Sequence, residues 1–298
     1  MTTLSEDLKR SHHSLEEFKN LTIRIAYHRN NTISSEFVDH RGYRIQKSIS
    51  GNTKKYLRPV KIDLFIWDLQ DFEKKYNEFI NIISKIKNGK REFNDQEHNI
   101  INSVLYTIQQ SIGIGLDLEF TPNSARKHVG NRFEELIRVI VSALGLKNRK
   151  MVFKVPYKSG GKQQVYKSET DIIISSGEVK STSNKLDPNE IVVSIKTTSK
   201  DRMGKMFLDK LLLKEMFKLD NVKVVGIFLN DVQRNKTTKT SFTIVPGQFI
   251  VYSNYIEQME GVYYLDTPAT IENKPPFSEM IRPFSEFLIT GIWELFRP

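Results

Sequence analysis

The sequence predicts an α/β fold: a mixed central β-sheet flanked by helices, behind a mainly helical N-terminal region. Three observations point there. Through the first 120 residues apolar side chains recur mostly at helical spacing; from Met151 onward short β-branched runs take over; and helix-period stretches stand before, between and after those runs. The expected division is a helical N-terminal region over 1–120 and a core over 121–298.

The elements follow from local chemistry. Ser14-Leu15-Glu16-Glu17 is a capping box that opens a helix to about Ala26. Residues 30–59 are polar, carry Gly42 and Gly51, and read as a long loop or a basic arm. Asp68 caps a helix from Leu69 to about Lys87, with Phe72, Tyr76, Phe79, Ile80 and Ile83 as its stripe and Gly89 as its stop. A second helix is expected from Asp95 to Ser111, closed by Gly113 and Gly115, and a third from Gly130 to Leu144. Strands follow at Met151 to Pro156, Asp171 to Ser175, Ile191 to Thr197, Val222 to Leu229, Ser241 to Val245 and Phe249 to Tyr252. Met203 to Phe217 is apolar on nearly every face and reads as a buried helix, and 277–296 as a closing helical stretch.

Composition narrows the function. A net charge of +10 favours polyanionic partners. Between Gly145 and Ser168 stand Lys147, Arg149, Lys150, Lys154, Lys158, Lys162 and Lys167 without one acidic residue, a pattern suited to a track of phosphates. The absence of cysteine excludes disulfides, thiolate zinc sites and cysteine nucleophiles, and fits the cytoplasm. No apolar run is long enough to cross a membrane. The six histidines lack zinc spacing, and Ser159-Gly160-Gly161-Lys162 lacks the remaining residues of a phosphate-binding P-loop.

The chemistry gathers at two strands and a helix. Asp171 opens one β-branched run and Lys196 closes another, so an antiparallel pairing brings them to one end of the sheet. Asp209 lies between Leu213 and Met216 on the following helix, where a carboxylate needs a cation. Two carboxylates and a lysine suit Mg²⁺-assisted phosphodiester hydrolysis, the lysine orienting or deprotonating water. Glu134, at the edge of the apolar arc of the 130–144 helix, is a further candidate, whereas Glu135 points away from that arc. Arg202 can donate two hydrogen bonds to guanine, Asp201 can accept from cytosine N4, and Lys200 can reach a guanine or a phosphate.

Asp171, Ser194-Ile195-Lys196 and Asp209 together resemble the PD-(D/E)XK nuclease motif of type II restriction endonucleases that read CCGG or CC-GG sites. In that variant the acid two residues before the lysine is missing and the following helix supplies it; Ser194 stands at the vacant place and Asp209 at the relocated one. The segment Lys196 to Arg202 is similar to the one that reads the C-C/G-G step. The similarity covers about 125–265, with Thr170 where the motif has proline and Asp209 where glutamate is usual; Glu215 is the substitute ligand.

The resemblance implies a restriction-endonuclease-like core and a Mg²⁺-dependent, site-specific deoxyribonuclease of bacterial or archaeal cytoplasm. Asp171, Asp209 and Glu134 would hold metal, and Lys196 would position water. A homodimer or tetramer on palindromic double-stranded DNA, and a companion methyltransferase, belong to the same picture. Two alternatives stay open: a structure-specific or repair nuclease of the same fold, and an inactive DNA-binding regulator.

Overall fold

The computed structural model describes residues 2–200, 202–236, 238–272 and 274–297. Two helices come first, the short α1 (Leu4–Lys9) and the longer α2 (Leu15–Thr32), the second closed at its start by the Ser14–Glu17 capping box. Next come four strands where the sequence suggested a loop or arm: β1 (Ile33–Val38), β2 (Tyr43–Ser50), β3 (Thr53–Tyr56) and β4 (Val60–Lys61). They form a separate antiparallel sheet in which β2 pairs with the other three. The segment is polar because its apolar core contribution is sparse: Tyr43, Ile45, Leu57 and Val60 are buried, and polar Asp39, Gln46 and Ser48 are buried as well. Gly42 and Gly51 serve the turns in left-handed conformations, φ 78° and 55°.

Three long helices follow: α3 (Leu69–Lys87), α4 (Asp95–Glu119) and α5 (Pro122–Ala143). Helix α3 starts on its Asp68 cap, as expected. Helix α4 runs straight through Gly113 and Gly115, which the sequence suggested would stop it. Both glycines are contact points: Arg58 crosses Gly113 to pair with Asp117 at 2.9 and 3.0 Å, and Leu8 and Ile25 crowd Gly115. Close packing keeps these glycines inside the helix.

The second half is a six-stranded mixed sheet, built from β5 (Lys147–Ser159), β6 (Lys162–Ser175), β7 (Ile191–Lys196), β8 (Lys223–Phe228), β11 (Gly261–Tyr264) and β12 (Ile281–Pro283). Its order is β12-β11-β8-β7-β6-β5, antiparallel among β5, β6 and β7 and parallel from β7 to β12. Between β8 and β11 come a small hairpin, β9 (Val232–Asn235) with β10 (Lys239–Phe242), and a helix. That helix, α7 (Pro246–Tyr255), replaces the strand expected at Phe249 to Tyr252. Pro246 at its first turn sets a helical start, and Phe249 and Ser253 share the buried side four residues apart. The closing stretch is interrupted: Phe277–Met280 is helical, β12 joins the sheet edge, and helical structure resumes from Phe284 to Glu294.

The sheet is buried on both faces. Ile172, Ile174, Ile191, Val193 and Ile195 pack toward α4, α5 and the C-terminal helical stretch, whereas Ile173 and Val192 pack toward the crossover helix α6 (Met203–Phe217). Among the described residues no helix is long and apolar enough to cross a membrane.

Candidate active site

The site begins where two paired strands part. The β6–β7 ladder runs from Ile174↔Ile191 to Ile172↔Val193 and stops there. On the other side of β6 the register shifts: Arg149 faces Ile173 and Met151 faces Thr170, so β6 holds one residue more than β5. Such a bulge turns a strand and re-aims a side chain. Asp171 sits in it, and its Oδ2 accepts the backbone N–H of Ile195 at 2.7 Å, taking the place of a ladder carbonyl. Lys196 Nζ donates to the same oxygen. The two side chains are 15% and 17% exposed, open enough to meet a ligand and enclosed enough for their charges to matter.

Glu134 approaches from the opposite face of the sheet. On α5 its neighbours Phe133, Leu136 and Ile137 are fully buried, which fixes the helix against the strands and leaves Glu134 half-buried at their end. Burial, and then the nearby Asp171 carboxylate, push its carboxyl above the ordinary range; Lys150 at 3.7 Å and Lys196 act in the other sense. Two carboxylates are thus near enough to repel. Glu135, expected to point away, instead turns into the protein: it pairs with buried Arg132 at 2.8 Å and accepts the N–H of His12.

Burial and repulsion make a stability test. A carboxyl whose folded-state pKa is raised costs stability when ionised, a cost absent below its unfolded-state pKa and complete above its folded-state pKa. Glu134→Gln is therefore expected to raise the metal-free melting temperature near pH 8 relative to wild type, with the gain vanishing near pH 4. Thermal melts at the two values decide it, and an equal or lower melting temperature at pH 8 refutes the repulsion.

Asp209 has a different setting. It lines a cleft of about 270 Å³ with Asp171, Ser194, Lys196, Arg202 and Met206. Its carboxylate, however, is bound to Lys205 one turn earlier, at 2.5 Å, on the solvent side of α6. Helix α6 is less buried than its composition suggested: Leu208 is 55% exposed and Leu211 38%. Glu215 is farther out, paired with Lys218. Among the described residues no group of three or more His, Asp or Glu lies close enough to hold a metal ion. Asp171, Lys196 and Glu134 come together, and Asp209 borders the same space with its charge already answered.

Two carboxylates still fit a hard divalent cation. Mg²⁺ commonly takes one or two protein carboxylates and completes its shell with water and substrate phosphate. The mutual repulsion of Asp171 and Glu134 marks where positive charge is wanted.

The segment after β7 divides. Arg202 faces the cleft, whereas Lys200 Nζ reaches Gln233 on β9 at 3.2 Å; Asp201 lies outside the described residues. A residue not singled out in the sequence fixes this segment. Asp231, fully buried just after β8, accepts the N–H of Ser199 at 2.6 Å and the Tyr264 hydroxyl at 2.6 Å. The hydroxyls of Thr198 and Thr243 each donate to Asp231 Oδ1 at 2.9 Å, the oxygen that also accepts the Ser199 N–H, while Tyr264 takes Oδ2. In sequence, Asn230-Asp231 after a buried run looks like an ordinary turn. Only the meeting of three separate segments around it reveals the clamp.

No protein-family model matches this chain, and no curated protein matches it. A solved structure does: the crystal structure of the Type IIP restriction endonuclease Kpn2I, with a TM-score of 0.72 over 95% of this chain and 91% of that one, at 19% sequence identity. The fold is therefore restriction-endonuclease-like, a mixed sheet flanked by helices.

Proposed function

We propose that this chain is a type II restriction endonuclease, a Mg²⁺-dependent deoxyribonuclease of the PD-(D/E)XK superfamily, cutting palindromic duplex DNA that contains CCGG or CC-GG steps. The observation that carries the reading is the Asp171–Lys196 pair at the bulge where β6 leaves β7, with Glu134 beside it, in a fold shared with such an enzyme.

Asp171 and Glu134 would hold the ion, with Asp209 joining when Lys205 releases it. Bound there, Mg²⁺ would offset charge on the phosphate and make bound water more acidic. The chain's own groups do the rest. The Ile195 N–H fixes Asp171 so that its carboxylate needs little rearrangement when DNA arrives. Lys196 spends one of its three N–H donors on Asp171 and has others for water or a phosphate oxygen. Arg202, which lines the cleft, would read guanine, with Lys200 and Asp201 as the companion readers of a C·G step. The catalytic core would span 121–298, with 1–120 supplying DNA or subunit contacts. Two copies related by a twofold axis, or a tetramer of such pairs, would cut both strands, and a methyltransferase would protect host sites.

Plasmid DNA incubated with the protein and Mg²⁺, followed by sequencing of fragment ends, tests the reading. Discrete ends at one palindrome, abolished by excess EDTA, are expected. Ends scattered without sequence preference would favour a structure-specific nuclease, and binding with no nick at all an inactive regulator. Arg202→Ala is expected to lose about 1–3 kcal/mol of discrimination at one base pair, read as fragment ends spread over near-cognate sites. Unchanged fragment ends would remove Arg202 from the reading role.

A further inference from the structure

The β5–β6 hairpin outgrows the sheet it belongs to. Its strands remain paired from Lys154↔Lys167 out to Ser159↔Lys162, yet residues 156–167 are all exposed. Gly160 and Gly161, at φ 57° and 74°, make the tight two-residue turn at the tip. At about 3.3 Å per residue the free part is roughly 20 Å long, and the tip stands up to about 33 Å along the strand from Asp171.

Its chemistry is one-sided in charge and divided by face. Residues 154–167 include Lys154, Lys158, Lys162 and Lys167 and no acid. Cross-strand partners share a face, so Lys154, Lys158 and Lys167 stand together with Gln163 on one side. Tyr157, Tyr166, Gln164 and Lys162 stand on the other, with Tyr157 and Tyr166 44% and 55% exposed. A two-stranded ribbon with both faces in water contributes little to the core. A second copy of the same ribbon is a poor occupant, because ammonium groups would meet ammonium groups.

We infer that this ribbon is a DNA arm that lies in the major groove beside the scissile phosphate, with the face of Lys154, Lys158, Lys167 and Gln163 toward the DNA, its lysines on the phosphates and Gln163 toward base edges. The major groove, about 12 Å wide, admits a two-stranded β-ribbon. The ribbon's reach from Asp171 is about one turn of duplex, roughly 34 Å. Its contacts therefore fall on sequence flanking the cut. The inference rests on the duplex-DNA reading of the site.

The test compares wild type with the Lys154→Gln, Lys158→Gln, Lys162→Gln, Lys167→Gln quadruple variant. Binding is measured by fluorescence anisotropy in EDTA, across a salt series, on random-sequence duplexes of about 40 and about 10 base pairs. All four substitutions are at exposed positions, and an unchanged melting temperature confirms that the variant is folded. On the long duplex the variant's slope of log affinity against log salt is expected to be shallower by about 3 to 4, at about 0.9 per lost phosphate contact. On the short duplex the difference shrinks. Equal slopes on the long duplex overturn the inference, as does a smaller size-exclusion mass for the variant, which would make the ribbon a subunit contact. Because no cleavage is needed, the two readings separate. Slopes that differ in a protein that never cuts would sink only the nuclease, and equal slopes in a protein that cuts would sink only the arm.

Discussion

Lys196→Ala is expected to reduce DNA cleavage by about a thousandfold, the scale set by removing one preorganised donor at a developing charge. Duplex binding, measured in Ca²⁺ or EDTA, should stay within a few-fold of wild type. The reason is local. Lys196 is a single ammonium at the end of β7, shared with Asp171, whereas the basic residues that would hold the duplex are spread over β5 and β6. The variant also leaves Asp171 facing Glu134 without its nearest counter-charge, so its metal-free melting temperature should fall slightly below wild type. Lys196→Arg separates charge from geometry: it keeps the cation, but its planar fork cannot reproduce the point contact, and cleavage should stay low. A cleaving alanine variant would show that another group positions the water.

Asp231→Ala should produce the largest loss of stability, about 4 kcal/mol. Each buried donor left without a partner costs about 1–3 kcal/mol, and this carboxylate is the acceptor for both the Ser199 N–H and the Tyr264 hydroxyl. Tyr264 is itself fully buried, and burial together with Asp231 holds its phenol well above the usual range, so it cannot relieve the loss by ionising. Chemical denaturation of wild type and variant gives the number. Asp231→Asn keeps one carbonyl oxygen for the Ser199 N–H and should lose less than half as much. A variant as stable as wild type would show that water replaces the carboxylate. The same substitution loosens the segment from Thr198 to Arg202, so at temperatures where the variant stays folded, site preference should weaken before cleavage does.

The elements legible in the sequence were those with strong local signals. Asp68 and the Ser14–Glu17 box mark helix starts by side-chain capping, which needs no distant partner. The runs around Ile173 and Val193 mark buried strands because β-branched residues in a short block have few other uses. Elements whose identity depends on what covers them were harder to read. Residues 33–61 form a sheet with few apolar side chains: Tyr43, Ile45, Leu57 and Val60 are buried, and part of what else it buries is polar, Asp39, Gln46 and Ser48. Phe249 to Tyr252 has the composition of a strand, and the preceding proline with a contact face of two residues makes it a helix.

At the site, the sequence by itself determined which charged groups border the apolar runs, Asp171 before one and Lys196 at the foot of the next; the structure keeps Lys196 at the end of β7 but starts β6 at Lys162, so Asp171 lies inside that strand. The sequence also placed Glu134 at the rim of an apolar arc. Tertiary structure decided what each charge faces. The bulge in β6 turned Asp171 onto the Ile195 N–H, the open side of α6 gave Asp209 to Lys205, and three distant segments closed on Asp231. Periodicity states which side chains share a face. Whether that face meets solvent, a strand end or another carboxylate depends on packing between elements far apart in the chain, and Coulomb and desolvation energies follow that packing.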